Sequence, residues 1–366
     1  MKTIVFIALH LSQPRCIKRI ATIKSAGIPI KVYGFDSGLY NDNLTNLPFP
    51  VTKIIKRDKN IGKVEKIFSF TKTIHRIINE NPKDCIFYFF GFEITSIAWL
   101  LGCRSYIYEE ADVTASRIKN KLIKEILLSY DRLLYRNSKL VVCTSEGFVR
   151  YLFKSGNIPS NIEMQLNKLS TFFTEEMRGI VNSNKTNEKC IKFAFVGLIR
   201  YPNTIIRFSK VIGKHFPQHE FHFYGDPEKT TYLDDEIQSY SNVFCHGRFK
   251  NPQDLKNIYE AIDINIVCYD TKSDNVRIAE PNKLYESIFF HTPIIVSTNT
   301  FLAEKVKRYN IGYEIDSADD KAICRFVKGI DIKEILQIKE RMKSIPISEL
   351  VDNPQELKRR IQSIVS

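Results

Sequence analysis

Glu280 to Ser297 read EPNKLYESIFFHTPIIVS. A proline and an asparagine precede a short amphipathic run carrying Lys283 and Glu286, and Pro293 then leads into Ile294, Ile295 and Val296. The apolar run has no polar side, so it predicts a strand covered on both faces, and the segment reads as one helix–strand period of an α/β fold. Asn282 is a candidate N-cap after Pro281, which puts Lys283 in the first turn and Glu286 one turn later on the same side. The N–H groups and positive dipole end of such a helix suit a phosphate, and Lys283 adds a point charge there. A carboxylate at Glu286 can accept two hydroxyl protons at once, which matches the vicinal diol of a ribose. A solvated surface Lys–Glu pair has the same spacing.

The same alternation extends in both directions. The apolar runs TIVFIAL, IKVYGF, CIFYFF, YIYE and LVVCTS alternate with amphipathic stretches in the first half. After the polar segment Asn182 to Lys189, the rhythm restarts with IKFAFVG, EFHFYG, VFCHG, INIVCY, PIIVS and IGYEID. Two such series predict two doubly wound parallel α/β domains, whose ligands bind beyond the C-terminal ends of the strands. The expected boundaries are a first domain over 1–166, a linker over 167–190, a second domain over 191–345, and a C-terminal helix over 346–366 able to pack back on the first domain.

At 366 residues the chain suits two domains rather than one core. Its 43% hydrophobic and 26% charged content is that of a soluble globular protein. No run approaches the ~18 apolar residues that span a bilayer. The opening MKTIVFIALHLSQPR has no small-residue cleavage site and reads as a first strand. Eight cysteines show no C-x-x-C spacing and fall partly in strand-like runs, so reduced core thiols in a cytoplasmic protein are expected, with no bound metal.

Further residues sharpen the second domain. FAFVGLIRYPN is a strand ending in Gly197 with Arg200 just beyond, and VFCHGRF ends in Gly247 with Arg248 beside it. This order, with PNKLYE followed by PIIVS, resembles the C-terminal domain of GT-B fold glycosyltransferases, in particular the retaining family 4. The resemblance spans 191–316 and extends weakly to 1–166. It implies a P-x-K-L-[YF]-E segment whose Glu, here Glu286, binds the donor ribose. It also implies a diphosphate contact at Arg200, a supporting one at Lys283, and a wall beneath the nucleobase at Tyr224 and Gly225. The sequence departs from the pattern in places. Ile278 stands where many relatives have the first acid of E-x7-E, with Glu280 the nearest carboxylate; Lys210 is the candidate second basic residue; Thr292 replaces a glycine; and HLSQPR replaces a Gly-rich turn.

In the first domain YIYEEADVT is a strand running into acids. Asp112 matches the family's acidic position and could take up an acceptor proton; an acidic N-cap cluster ahead of a helix over 116–136 is the other reading. His10, after the first strand, either contacts the donor sugar or is satisfied by local backbone. The charge is asymmetric: residues 1–166 carry 25 Lys and Arg against 14 Asp and Glu, whereas 167–366 carry 29 against 27. The stretch KIIKRDKNIGKVEKIFSFTK mixes base with Ile and Phe, the composition of a surface that meets anionic lipid. In RIKNKLIKEILLSYDRLLYR, Ile118, Leu122, Ile126 and Leu133 fall roughly on one side, which reads as a core-packed helix with a solvated opposite face. No nucleic-acid-binding signature is present.

The resemblance therefore implies a metal-independent hexosyltransferase, while the cysteines and the basic first half lead us to expect a cytoplasmic protein, peripheral on the inner membrane face. It would move sugar from a UDP- or GDP-type donor to a glycan or lipid-linked glycan and need no cofactor. A sugar-nucleotide epimerase on the same fold and a non-catalytic nucleotide- or nucleic-acid-binding module are the alternatives.

Overall fold

The computed structural model describes residues 1–11, 13–36, 47–56, 62–154, 156–171, 189–199, 202–226 and 236–366. They form two compact units, one of residues 1–166 with 353–366 and one of residues 167–352.

Unit 1 runs β1 (Ile4–Ala8), α1 (Pro14–Lys24), β2 (Ile30–Asp36), β3 (Lys53–Lys56), α2 (Lys63–Glu80), β4 (Ile86–Phe90), α3 (Phe92–Leu100), β5 (Tyr106–Glu110), α4 (Lys121–Asn137), β6 (Leu140–Cys143), α5 (Glu146–Phe153) and β7 (Ile162–Met164). The strands form one parallel sheet in the order β3-β2-β1-β4-β5-β6-β7. β1, β4, β5 and β6 are buried at every position, as unbroken apolar runs require when both faces are covered. Order reverses at β1, so right-handed crossovers put α1 on one face and the layer α2, α3, α4 and α5 on the other.

Unit 2 runs β8 (Lys192–Val196), α6 (Pro202–His215), β9 (Glu220–Tyr224), β10 (Val243–Gly247), α7 (Leu255–Glu260), β11 (Ile264–Val267), α8 (Asp274–Ile278), α9 (Lys283–Phe289), β12 (Ile294–Ser297), α10 (Phe301–Tyr309), β13 (Gly312–Ile315), α11 (Asp320–Lys328), α12 (Ile332–Lys343) and α13 (Ile347–Leu350). Its parallel sheet has the order β10-β9-β8-β11-β12-β13, with the reversal at β8. Phe193, Phe195, Phe208, Phe221, Ile264 and Ile295 lie in its core.

The final helix α14 (Gln355–Val365) belongs to unit 1. Its Leu357, Ile361 and Val365 join the core beside Ile4, Phe6 and Ile20, and the Lys2 amide donates to the Val365 carbonyl at 2.7 Å. Arg360 ties it to the far edge by donating to the carbonyl of Ile162 at 2.6 Å.

Three local expectations are corrected. The expected helix over 116–136 is a 3-10 turn at Thr114–Arg117 followed by α4, which Asn120 caps through the amides of Leu122 and Ile123, so the acids of β5 do not cap it. Glu109 and Glu110 lie inside β5, fully buried, and only Asp112 follows the strand. The face of α4 that packs inward carries Leu128, Asp131, Leu134 and Tyr135, whereas Leu122, Ile126 and Leu133 are exposed rather than core. None of the eight cysteines is in a disulfide. Among the described residues no helix is long and apolar enough to cross a membrane.

Candidate active site

In unit 2 three neighbouring strands end on glycine. β8 runs into Gly197, β9 into Gly225, and β10 closes on Gly247, with φ of 126°, 125° and 70°. These are conformations that glycine adopts without a Cβ clash. The Gly197 amide donates to the Tyr224 carbonyl at 2.8 Å, and the Gly225 amide donates to Gly247 at 2.7 Å. A Cβ on Gly225 would lie 2.2 Å from the Gly197 carbonyl oxygen. The strand-end surface is therefore bare backbone, the kind a phosphate or a base can approach closely.

Lys283 reaches this surface. Its ammonium is 5.2 Å from the centre of the Phe195 ring, and a Cβ on Gly197 would stand 2.6 Å from Nζ. The side chain is buried with 9% exposure, so Lys283 is not half of a solvated surface pair. The missing side chain at Gly197 is what makes room for the cation.

One turn on, Glu286 is 5% exposed and held at both oxygens. Asn282 Nδ2 donates to Oε1 at 2.6 Å, and the Tyr259 hydroxyl donates to Oε2 at 3.2 Å. Burial pushes the carboxyl above its ordinary value, while the Lys283 charge and the two hydrogen bonds oppose that rise. Tyr259 is set in turn by Asn265, whose Nδ2 donates to the tyrosine oxygen at 3.3 Å and to Ser287 Oγ at 2.9 Å. The Tyr259 ring stacks on Phe290 with centroids 4.7 Å apart. A carboxylate with two fixed donors keeps lone pairs for further hydroxyl donors and has lost the freedom to turn away.

The expected cap at Asn282 takes a different form. The residue stands at the N-cap position, but its backbone is helical (φ −57°, ψ −26°) and its side chain makes no cap bond. Its side-chain Nδ2 donates instead to the Glu286 carboxylate, a charged acceptor in a buried place. Glu280, the acid nearest the expected first glutamate, is sealed in the fold. It is 1% exposed, accepts from the Tyr285 hydroxyl, and lies 3.7 Å from Lys305 Nζ.

At the neighbouring strand end, Tyr224 stacks on His246 at 4.2 Å and 6°, so one face of its ring is taken. Arg248 is 84% exposed and paired with Asp226, next to Gly225. Lys210 pairs with Glu236. Arg200 lies outside the described residues. The structure thus brings together Gly197, Gly225, Lys283, Glu286 and Asn282, with Tyr224 and Arg248 at the adjoining strand ends.

The two remaining candidates belong to unit 1. Asp112 pairs with Arg117 at 3.3 Å and is half exposed. His10 sits in the turn after β1, where its carbonyl accepts from the Gln13 amide at 3.1 Å. Unit 1 also holds buried carboxyls: Glu109 and Glu110, which the sequence placed after the strand, and Asp131, which it did not single out. Glu109 accepts from Arg19 Nε at 2.9 Å and from the Tyr88 hydroxyl. The Tyr108 hydroxyl lies 2.6 Å from Glu110 Oε2 and 3.2 Å from Asp131 Oδ1. Burial raises the Glu110 carboxyl well above the usual carboxylate range and Asp131 to about 7. Tyr259, Asn265 and Ser287 were likewise missed, because Tyr259 stands 27 positions before Glu286 and no motif links them.

No family model matches the chain, and comparison with curated proteins finds no match. Solved structures do resemble it. A sucrose-phosphate synthase from Thermosynechococcus elongatus aligns over 100% of this chain and 98% of its own, with a TM-score of 0.68 and 13% identity. The glycosyltransferase WaaG of lipopolysaccharide biosynthesis aligns over 97% and 98%, with a TM-score of 0.65 and 13% identity. Anabaena HepE, solved in complex with UDP-glucose, aligns over 99% of each chain, with a TM-score of 0.65 and 12% identity. At these identities the likeness is one of fold, and the two doubly wound units of this chain have the GT-B fold of those glycosyltransferases.

Proposed function

We propose that the protein is a glycosyltransferase that moves a sugar from a nucleoside diphosphate sugar to a glycan or lipid-linked glycan at the cytoplasmic face of a membrane. The observation that carries this reading is the buried Lys283 ammonium over Gly197, one helical turn from a Glu286 carboxylate fixed by Asn282 and Tyr259. A cation at a bare strand end suits a diphosphate, and the carboxylate suits the two hydroxyls of the attached ribose. The spacing of the two along α9 fits one nucleotide lying across both.

In this mechanism Lys283 stabilises the charge that develops on the departing diphosphate, an electrostatic role that acts mainly in the transition state. Glu286 holds the ribose and so aims the anomeric carbon. With the lysine supplying positive charge, transfer proceeds without a metal ion and with retention of configuration, as the family 4 resemblance implies. Asp112 is the candidate to orient the acceptor hydroxyl.

HepE was solved with UDP-glucose, which makes UDP-sugars the first donors to test. Calorimetric titration with UDP and GDP should show binding that Lys283→Ala weakens. Donor turnover with and without glycan acceptors, in chelator, tests the reaction, and the anomer formed tests retention. Absence of nucleotide binding, or conversion of the donor to an epimer without any acceptor, would refute this assignment.

A further inference from the structure

Helix α4 is apolar on two sides: Leu128, Leu134 and Tyr135 pack inward with Asp131, and a second ridge faces out. At roughly 100° per residue, Leu122, Ile126 and Leu133 fall within about 40° of one another, opposite the buried Asp131. They are 72%, 59% and 41% exposed, and Ile123 beside them is 49% exposed. Solvent-facing helix ridges are ordinarily polar. Here a ridge of branched apolar residues faces outward.

The layer beside α4 repeats the feature. α2 and α4 both pack on α3, and both start at the C-terminal end of the sheet's strands. In the first turns of α2, Val64, Ile67 and Phe68 are 83%, 65% and 70% exposed. The charge around these residues is mainly positive, with Glu65 and Glu125 the exposed acids among them. Residues 117–137 carry six Lys and Arg against two Asp and Glu, and one of those acids, Asp131, is buried. Lys119, Lys121 and Arg136 are exposed on α4 or its approach, and Lys66 is exposed on α2.

We propose that the α2–α4 layer of unit 1 is a docking face for an anionic lipid surface, with Leu122, Ile126, Ile67 and Phe68 entering the headgroup boundary and Lys119 and Lys121 meeting lipid phosphates. Apolar residues on one ridge with lysines at its margins are the composition of a helix that lies in a membrane interface. Protein–protein interfaces are depleted of lysine, which disfavours a protein occupant. The inference rests on the membrane location proposed above for its partner, and on α4 and α2 for its site. It corrects the expectation that this side of α4 packs into the core.

The test is sedimentation of the full chain with vesicles of phosphatidylcholine alone and of phosphatidylcholine with phosphatidylglycerol in equal parts, at low and high salt, without donor or acceptor. The protein should pellet with the anionic vesicles at low salt and be largely released by high salt. Leu122→Ser with Ile126→Ser should lower partitioning ~10-fold or more. Lys119→Glu with Lys121→Glu should lower it ~25-fold or more. Should the serine pair melt far below the parent, the lysine pair, being on the surface, decides. Equal binding to both vesicle types, no binding to anionic vesicles at low salt, or variants that bind like the parent would overturn the proposal. So would a dimer that the serine pair splits, since the face would then belong to a second copy. UDP binding is measured on the same variants and should be unchanged, which separates failure of the docking face from failure of the transferase reading.

Discussion

Tyr259→Phe removes one oxygen atom and leaves the ring that stacks on Phe290. Asn265 keeps its bond to Ser287, so the fold loses little. Glu286 loses a donor in a buried place. A hydrogen bond to a charged group contributes ~1.5–3 kcal/mol, and one unit of pKa corresponds to ~1.4 kcal/mol. The 3.2 Å separation is long for a hydroxyl on a carboxylate, which selects the lower end of that range. Loss of ~1.5 kcal/mol from the ionised form should therefore raise the Glu286 carboxyl further above its burial-shifted position. If the ionised carboxylate holds the ribose, nucleotide affinity is full above that pKa and is lost as pH falls through it. The acid limb of UDP affinity should accordingly move to higher pH in the variant, with parent-like affinity restored in mildly alkaline buffer. Calorimetric titration of UDP across a pH series reads this directly. A limb that superimposes on the parent's, or a loss equal at every pH, would refute the electrostatic coupling between Tyr259 and Glu286.

Glu286→Ala should lower transferase activity ~30-fold or more while the melting curve stays cooperative, because two hydroxyl bonds to a charge are lost; a folded variant with unchanged donor affinity and turnover would remove Glu286 from the site. Gly225→Ala sets a Cβ 2.2 Å from the Gly197 oxygen at a φ of 125°. Overpacking of that kind costs ~1–3 kcal/mol before strain is added, so Tm should fall on the order of 5 °C or more, and calorimetry would show it. Asp131, raised from 3.8 to about 7, keeps a proton in the folded state that the unfolded chain has released. Its contribution to stability is complete below its unfolded value and is lost as pH rises through about 7, so Tm should drop across that window and Asp131→Asn should flatten the slope. A parent Tm that climbs through the same window would contradict the raised Asp131 carboxyl.

Much of the fold was legible because parallel strands buried on both faces leave unbroken apolar runs, and β1, β4, β8 and β12 all carry them. Gly197, Lys283 and Glu286 were legible for a related reason: each sits at a strand end or in a helix that such runs delimit. The orientation of α4 was not. Hydrophobic periodicity assumes one inward apolar ridge, but α4 has two, and the one that packs inward is Leu128, Leu134 and Tyr135 with Asp131 among them. The support of Glu286 was also hidden, since Tyr259 reaches it across the packing of two separate helices, and spacing along the chain carries no trace of it. Asn282 shows a third limit. Its type announced a cap, yet a competing carboxylate one turn away claimed its amide.

The return of α14 to the first sheet nests one folding unit inside the other. Unit 2 is a continuous stretch, complete by Asp352, whereas unit 1 is interrupted after Leu166 and resumes at Asn353. During synthesis the ribosome releases all of unit 2 before Leu357, Ile361 and Val365, each fully buried in unit 1, become available. Until then α1 and β1 present the apolar side that α14 will cover. The first unit to be started is thus the one whose core waits for the last helix described.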